Sequence, residues 1–193
     1  MKWSNMRERI LQISKELGLT HIGSCLGMAV VLEEIYQQKK PEDIVILDAG
    51  HAHLAHLVAR EKYEGLKDIE KLIEHDIHCN RDLGCEVSTG SLGLGITVAL
   101  GRAMANPERN VYCVLSDGGC AEGSVWEALR IKTEKKIINL IVYVNANGWS
   151  GLDLVDLNWL EQRLKVFDPT VRFIRTNSDF GDITGVAAHY ERD

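Results

Sequence analysis

Apolar residues Ile10, Ile13 and Leu17 recur at helical spacing, and a second helical pattern runs from about Met28 to Tyr36, stopped by the Pro41 region. The loop Thr20 to Cys25 is expected to join them. Asp43-Ile-Val-Ile-Leu-Asp48 is a short, continuous apolar run ending at Ala49-Gly50. It predicts a buried strand that feeds a loop and then a helix from about Ala52 to Lys62. Further β-rich runs lie at Val111 to Leu115, Leu140 to Val144 and Val171 to Arg175, each separated from the next by a helical stretch. Parallel strands need long crossovers, and these are usually helices. The alternation therefore predicts the α/β class, a parallel sheet with helices on both faces, as one domain over residues 1–193. Ligands of such sheets sit at the carboxyl ends of the strands, which directs attention to the loops after Asp48, Leu115 and Val144.

The segment Gly93 to Ala105 is apolar on nearly every face until Arg102 and holds three glycines, each costing roughly 1 kcal/mol relative to alanine. A helix of that kind is buried, either inside the chain or against a partner subunit.

Composition narrows the function classes. The 193 residues are 45% hydrophobic and 26% charged, with a net charge of −6, which argues against a nucleic-acid or anionic-membrane surface. The brief basic cluster Lys132 to Lys136, interrupted by Glu134, is expected to be a solvated helix end. Five cysteines without a CxxC pair are expected as reduced, buried or partly buried thiols. The charged N-terminus does not resemble a signal peptide, and no apolar run approaches a membrane span, so a soluble cytoplasmic protein is expected.

Candidate chemistry is concentrated where the strand Val111 to Leu115 runs into Ser116-Asp117-Gly118-Gly119, followed by Glu122-Gly123 and Trp126-Glu127-Ala128. A carboxylate at a strand end among turn glycines suits a divalent cation beside a phosphate. The next strand ends at Asn145-Ala-Asn147, thirty residues after Asp117, which is the length of one crossover. Asp117 and Asn147 can therefore meet at one sheet edge. A carboxylate, an amide oxygen and a nearby carbonyl fit the oxygen preference of Mg²⁺.

SDGGCAEGSVWEA followed by LIVYVNANGW resembles the thiamine diphosphate motif of transketolases. The resemblance extends to Val87-Ser-Thr-Gly-Ser-Leu-Gly93, to His21-Ile-Gly-Ser24 and to Ala49-Gly-His51, in order over roughly residues 5 to 175. It implies a diphosphate-binding (PP-type) domain that takes thiamine diphosphate with Mg²⁺ or Ca²⁺. Asp117, Asn147 and the carbonyl of Trp149 would hold the metal, and the Gly118 amide would meet the diphosphate. Gly90 and Leu92 would contact the cofactor rings, and Glu122 would lie at an interface that links paired cofactor sites. His21, His51 and a third histidine would line the catalytic mouth. For the third, His78 matches better than His75. Imidazoles there can donate to a sugar hydroxyl or take its proton.

The sequence departs from the family pattern at Ser116, at Ala52 and after Asn147. His189 is a further histidine, expected to cap a surface helix. The pyrimidine-binding domain of transketolases has no counterpart in these 193 residues, so the resemblance is to the N-terminal subunit of a split transketolase. Such a subunit would act only with a C-terminal, pyrimidine-domain partner in a hetero-oligomer, transferring two-carbon ketol units between sugar phosphates. Relatives of deoxyxylulose-phosphate synthase or of dehydrogenase E1 subunits, and a non-catalytic cofactor-binding subunit, stay open as alternatives. A remote alternative reads Val45 to His56 as a strand that delivers an HxH pair, His51 and His53, to zinc or iron as in metal-dependent hydrolases, whose barrel needs about 250 residues. Otherwise His53 and His56 are expected on a helix surface or in satisfied core positions.

Overall fold

The computed structural model describes residues 5–151, 153–176, 179–180 and 183–184. His189 lies outside the described residues. Helices α1 (Met6–Leu17) and α2 (Ile22–Gln38) precede strand β1 (Ile44–Leu47). A 3-10 turn, Gly50–Ala52, leads into α3 (His53–Glu64), then α4 (Ile69–His75) and α5 (Leu94–Ala105). Next come β2 (Val111–Ser116), α6 (Gly123–Glu134), β3 (Leu140–Ala146) and the short antiparallel pair β4 (Trp149–Ser150) and β5 (Asp153–Leu154). Helix α7 (Leu157–Phe167) and strand β6 (Arg172–Arg175) follow.

Strands β1, β2, β3 and β6 form one parallel sheet in that spatial order. Its two faces carry different partners. Val45, Leu47, Tyr112, Val114 and Tyr143 point into a core shared with α1 to α4, whereas Ile46, Cys113, Leu115, Val142 and Val144 face α5, α6 and α7. Each strand thus alternates between two apolar layers, which is why the strands read as unbroken apolar runs. The expected α/β architecture is what the chain adopts.

Three local expectations change. Helix α2 starts at Ile22, six residues before Met28, so Ile22 to Cys25 are helical and not loop. Gly23 and Gly27 mask that turn in the sequence, yet Gly27 fits because a Cβ there would stand 3.2 Å from the side chains of Asn145 and Thr176. Helix α5 is buried on one face only: Gly95, Ile96, Ala99, Leu100 and Ala103 are covered, while Leu94, Val98 and Met104 are 55%, 37% and 47% exposed. Lys132 is not solvated. It is buried at the end of α6 and donates to Asp168 Oδ2 at 2.6 Å and to Thr170 Oγ1 at 2.9 Å.

All five cysteines are free and buried, as expected. Among the described residues no helix is long and apolar enough to cross a membrane.

The Lys132–Asp168 pair joins α6 to the segment that enters β6. Burial pushes the Asp168 carboxyl up, but the bonds from Lys132 and Thr170 more than offset this and hold it below its ordinary value of 3.8. Removing one partner leaves a buried charge alone, so Asp168→Ala is expected to cost about 3 kcal/mol in urea unfolding. Because the folded value is depressed, the stabilisation is present above 3.8 and is lost as pH falls through that lower value. The stability difference between wild type and variant should therefore shrink in acid.

Candidate functional site

A cleft of about 260 Å³ opens at the carboxyl ends of β1, β2 and β3, walled by the start of α2 and by the hairpin β4–β5. The strands set its floor. Ser116 pairs with Asn145 in the β2–β3 register, and the Asp117 N–H donates to the Asn145 carbonyl at 3.2 Å. Asp117 and Asn147 consequently leave adjacent strands side by side.

Asp117 is only 3% exposed, and its carboxylate accepts the Gly118 N–H at 3.1 Å and the Gly148 N–H at 2.6 Å. Burial nonetheless pushes its carboxyl up to about 6, against the lowering effect of those amides. Among the described residues no lysine or arginine lines the cleft beside this carboxylate. Asn147 Oδ1 accepts the Trp149 N–H at 2.9 Å, an Asx-type turn that fixes the amide oxygen at the same edge. A carboxylate, an amide oxygen and the carbonyls of the following turn form a hard-oxygen donor set suited to Mg²⁺ or Ca²⁺.

The opposite wall holds the imidazoles. His21 precedes α2 with φ 63°, a left-handed conformation uncommon for a residue with a Cβ, and its Nδ1 lies 2.9 Å from Thr20 Oγ1. Its ring is 5.3 Å from that of His51, which sits in the 3-10 turn after β1. His78 lines the cleft beside Gly90, where a Cβ would be 3.6 Å from the His78 ring. His75 ends α4 outside the lining, so the structure places His78 and not His75 at the cleft.

Of the residues singled out from sequence, His21, His51, His78, Gly90, Leu92, Asp117, Gly118, Asn147 and Trp149 all line this one cleft. Glu122 does not. It is the exposed residue before α6, so its grouping with cofactor-contacting residues has no support in the lining of this cleft. The Gly118 N–H is engaged by its own neighbour Asp117. The HxH alternative fails on geometry: His51 lines the cleft, whereas His53 and His56 are buried in α3.

Sequence reasoning missed Asp48. This carboxylate, fully buried at the end of β1, accepts the Gly93 N–H at 2.8 Å and the Ile96 N–H at 3.2 Å, so it caps α5 from another element. Burial pushes it up, and the amides of Gly93, Ile96 and Gly95 oppose that. Gly95 is required for the approach, because a Cβ there would stand 2.6 Å from Asp48 Cα. An acidic residue closing an apolar strand just before Ala49-Gly50-His51 was the available signal. Met28 and Ser150 also line the cleft without a sequence cue.

A family model described as 1-deoxy-D-xylulose-5-phosphate synthase matches residues 3–156. The chain belongs to this transketolase-like thiamine diphosphate family. Among its relatives, the 1-deoxy-D-xylulose-5-phosphate synthase of Fusobacterium nucleatum is 30% identical over 150 residues, covering 75% of this chain and 24% of that protein. The 6-deoxy-6-sulfo-D-fructose transketolase subunit SqwG of Clostridium sp. is 29% identical over 165 residues, covering 74% of this chain and 60% of that subunit. The transketolase of Leishmania mexicana superposes with a TM-score of 0.68 at 23% identity, covering 84% of this chain and 29% of that one, and so shares the fold. The chain spans only 24% and 60% of the length of these two sequence relatives, and the family model it matches is that of the N-terminal domain.

In a family domain built this way, the Asp48 cap fixes α5 and the loop that carries Gly90 and Leu92 into the cleft. Asp48→Ala leaves two buried amides without acceptors and is expected to cost about 3 kcal/mol by urea unfolding. A cost within experimental error of zero would show that the cap is dispensable.

Proposed function

We propose that the cleft binds the diphosphate of thiamine diphosphate together with Mg²⁺ or Ca²⁺. Asp117, Asn147 and the Trp149 carbonyl hold the cation. The observation that carries this is the buried Asp117 carboxylate, 3% exposed at a strand end, with backbone amides around it and no lysine or arginine among the described lining residues. A divalent ion supplies the missing charge. Leu92 and Met28 offer apolar surface for the cofactor rings, and Gly90 leaves room beside His78.

Bound thiamine diphosphate supplies the carbon nucleophile that a protein side chain lacks. The chain supplies position and protons. His21, His51 and His78 stand at the mouth, where an imidazole can donate to a sugar hydroxyl or accept its proton. The substrate class proposed is a ketose phosphate as donor of a two-carbon ketol unit and an aldose phosphate as acceptor.

Catalysis is assigned to a complex with a pyrimidine-domain subunit of the transketolase type. Two observations support it. The SqwG relative is itself called a transketolase subunit, and this chain covers 60% of it. The apolar stripe of Leu94, Val98 and Met104 on α5 also lacks a cover within the described residues. Glu122 lies near that helix, since a Cβ on Gly93 would stand 2.6 Å from Glu122 Cβ, which suits an interface role for it.

Calorimetry on the chain with its partner, titrated with thiamine diphosphate and Mg²⁺, is expected to show binding that chelation abolishes and that Asp117→Ala weakens by at least roughly 100-fold. Binding indifferent to both would remove Asp117 from the site. The activity itself is tested by co-expressing the chain with a pyrimidine-domain subunit and assaying ketol transfer from xylulose 5-phosphate to ribose 5-phosphate. Transfer is the expected result. A cofactor-loaded complex that decarboxylates pyruvate and ignores ketoses would overturn the substrate class while leaving cofactor binding in place.

A further inference from the structure

Away from the cleft, on the α1 to α4 side of the sheet, two thiols and an imidazole converge in a buried pocket. The ligand atoms of His53, Cys79 and Cys85 all lie within 4.8 Å of one another, and the three residues are buried. Cys85 Sγ is 3.3 Å from His53 Nε2. Two ligands of a tetrahedral zinc ion, with Zn–S near 2.3 Å and Zn–N near 2.05 Å, are separated by about 3.5 Å. The pair already stands close to that spacing.

The imidazole is oriented for the task. His53 Nδ1 lies 3.3 Å from the Asp76 carbonyl, which can only accept, so Nδ1 carries the proton and Nε2 turns its lone pair to the thiols. A backbone carbonyl holding the far nitrogen is the usual support of a metal-bound histidine. His56, three residues further along α3, offers a second imidazole that is not within 4.8 Å of all three of those ligand atoms and would have to move in to complete the set. Its Nε2 is 3.0 Å from Tyr36 Oη, whereas its buried Nδ1 has no hydrogen-bond partner.

We propose that His53 Nε2, His56 Nδ1, Cys79 Sγ and Cys85 Sγ form a structural zinc site. Thiolate and imidazole in a closed four-ligand set select zinc over the hard cations of the cleft. Binding releases the remaining thiol protons to solvent and changes no oxidation state. A Cys79–Cys85 disulfide is the rival use of these thiols. It would leave two buried imidazole nitrogens unpaired, which is costly.

Backbone bonds fix the positions of both cysteines. Cys79 and Cys85 flank the 3-10 turn Arg81–Leu83, closed by the Cys85 N–H donating to the Asn80 carbonyl at 3.2 Å. The Cys79 N–H donates to the Gly50 carbonyl at 3.2 Å, and the Thr89 N–H donates to the Cys79 carbonyl at 2.9 Å. A zinc ion there ties α3 to the segment that presents His78 and Gly90 to the cleft.

The test is the zinc content of the full chain, purified without chelator and measured by plasma mass spectrometry. One zinc per chain is expected. A thiol-blocking mercurial should release it, and cobalt substitution should give a thiolate charge-transfer band. Cys79→Ser and His53→Gln should each lose most of the metal, while Asp117→Ala, which alters only the cleft, should keep it. Should the thiol variants fail to fold, the wild-type stoichiometry and the cobalt spectrum still decide. A wild-type chain that carries no zinc and takes none up on equilibrium dialysis, with Cys79 and Cys85 found as free thiols or as a disulfide, would overturn the site, as would zinc retained in a Cys79→Ser, Cys85→Ser variant.

Discussion

The cleft rests on one buried carboxylate. Asp48 ends β1 inside the protein and binds the amides that open α5, so the first strand, the Gly90 to Gly93 loop and a long helix are held at one point. A helix N-terminus carries unpaired N–H groups and partial positive charge. Burying it against a sheet is tolerable only if an acceptor meets it, and Asp48 is that acceptor. The same carboxylate stands beside Gly119, where a Cβ would be 3.2 Å from Asp48 Oδ2, so it also limits how the loop after β2 can pack.

From that junction the site geometry follows from strand register. Parallel pairing of Ser116 with Asn145 sets the level at which both chains leave the sheet, and the Gly148 N–H crosses back to Asp117 Oδ2. Two neighbouring strand ends can then offer oxygen ligands to one ion without a dedicated cage. The imidazoles come from the other side, on turns before α2 and α3 and on the segment after α4. The buried thiol and imidazole cluster lies beneath that segment, so stability and cleft geometry are connected through residues 76 to 90.

Much of this was legible in the sequence, for identifiable reasons. The strands appear as apolar runs because both faces of the sheet are covered, and the site residues appear because ligands collect at the ends of those runs. What escaped was non-local. Lys132 looks solvated in its own segment, and its burial is offset by Asp168 and Thr170, which follow α7. The start of α2 was hidden by Gly23 and Gly27, and the poor helix propensity of Gly27 is overridden by its close packing against Asn145 of β3. His53, His56, Cys79 and Cys85 are spaced H-x2-H and C-x5-C, and neither pair announces a site until α3 and the turn after α4 are brought together. The apolar character of α5 was visible in the sequence, but apolar periodicity does not say which chain covers Leu94, Val98 and Met104.

The central claim is that the ends of β2 and β3 hold a divalent cation beside a diphosphate. It is tested most directly by a crystal structure of the chain with its pyrimidine-domain partner, grown with thiamine diphosphate and Mn²⁺ and phased at the manganese edge. The expected result is one anomalous peak at about 2.2 Å from an Asp117 carboxylate oxygen and from Asn147 Oδ1, the spacing of a hard cation to oxygen ligands. Cofactor bound with the peak elsewhere, or with Asp117 and Asn147 facing no ion, would contradict the account.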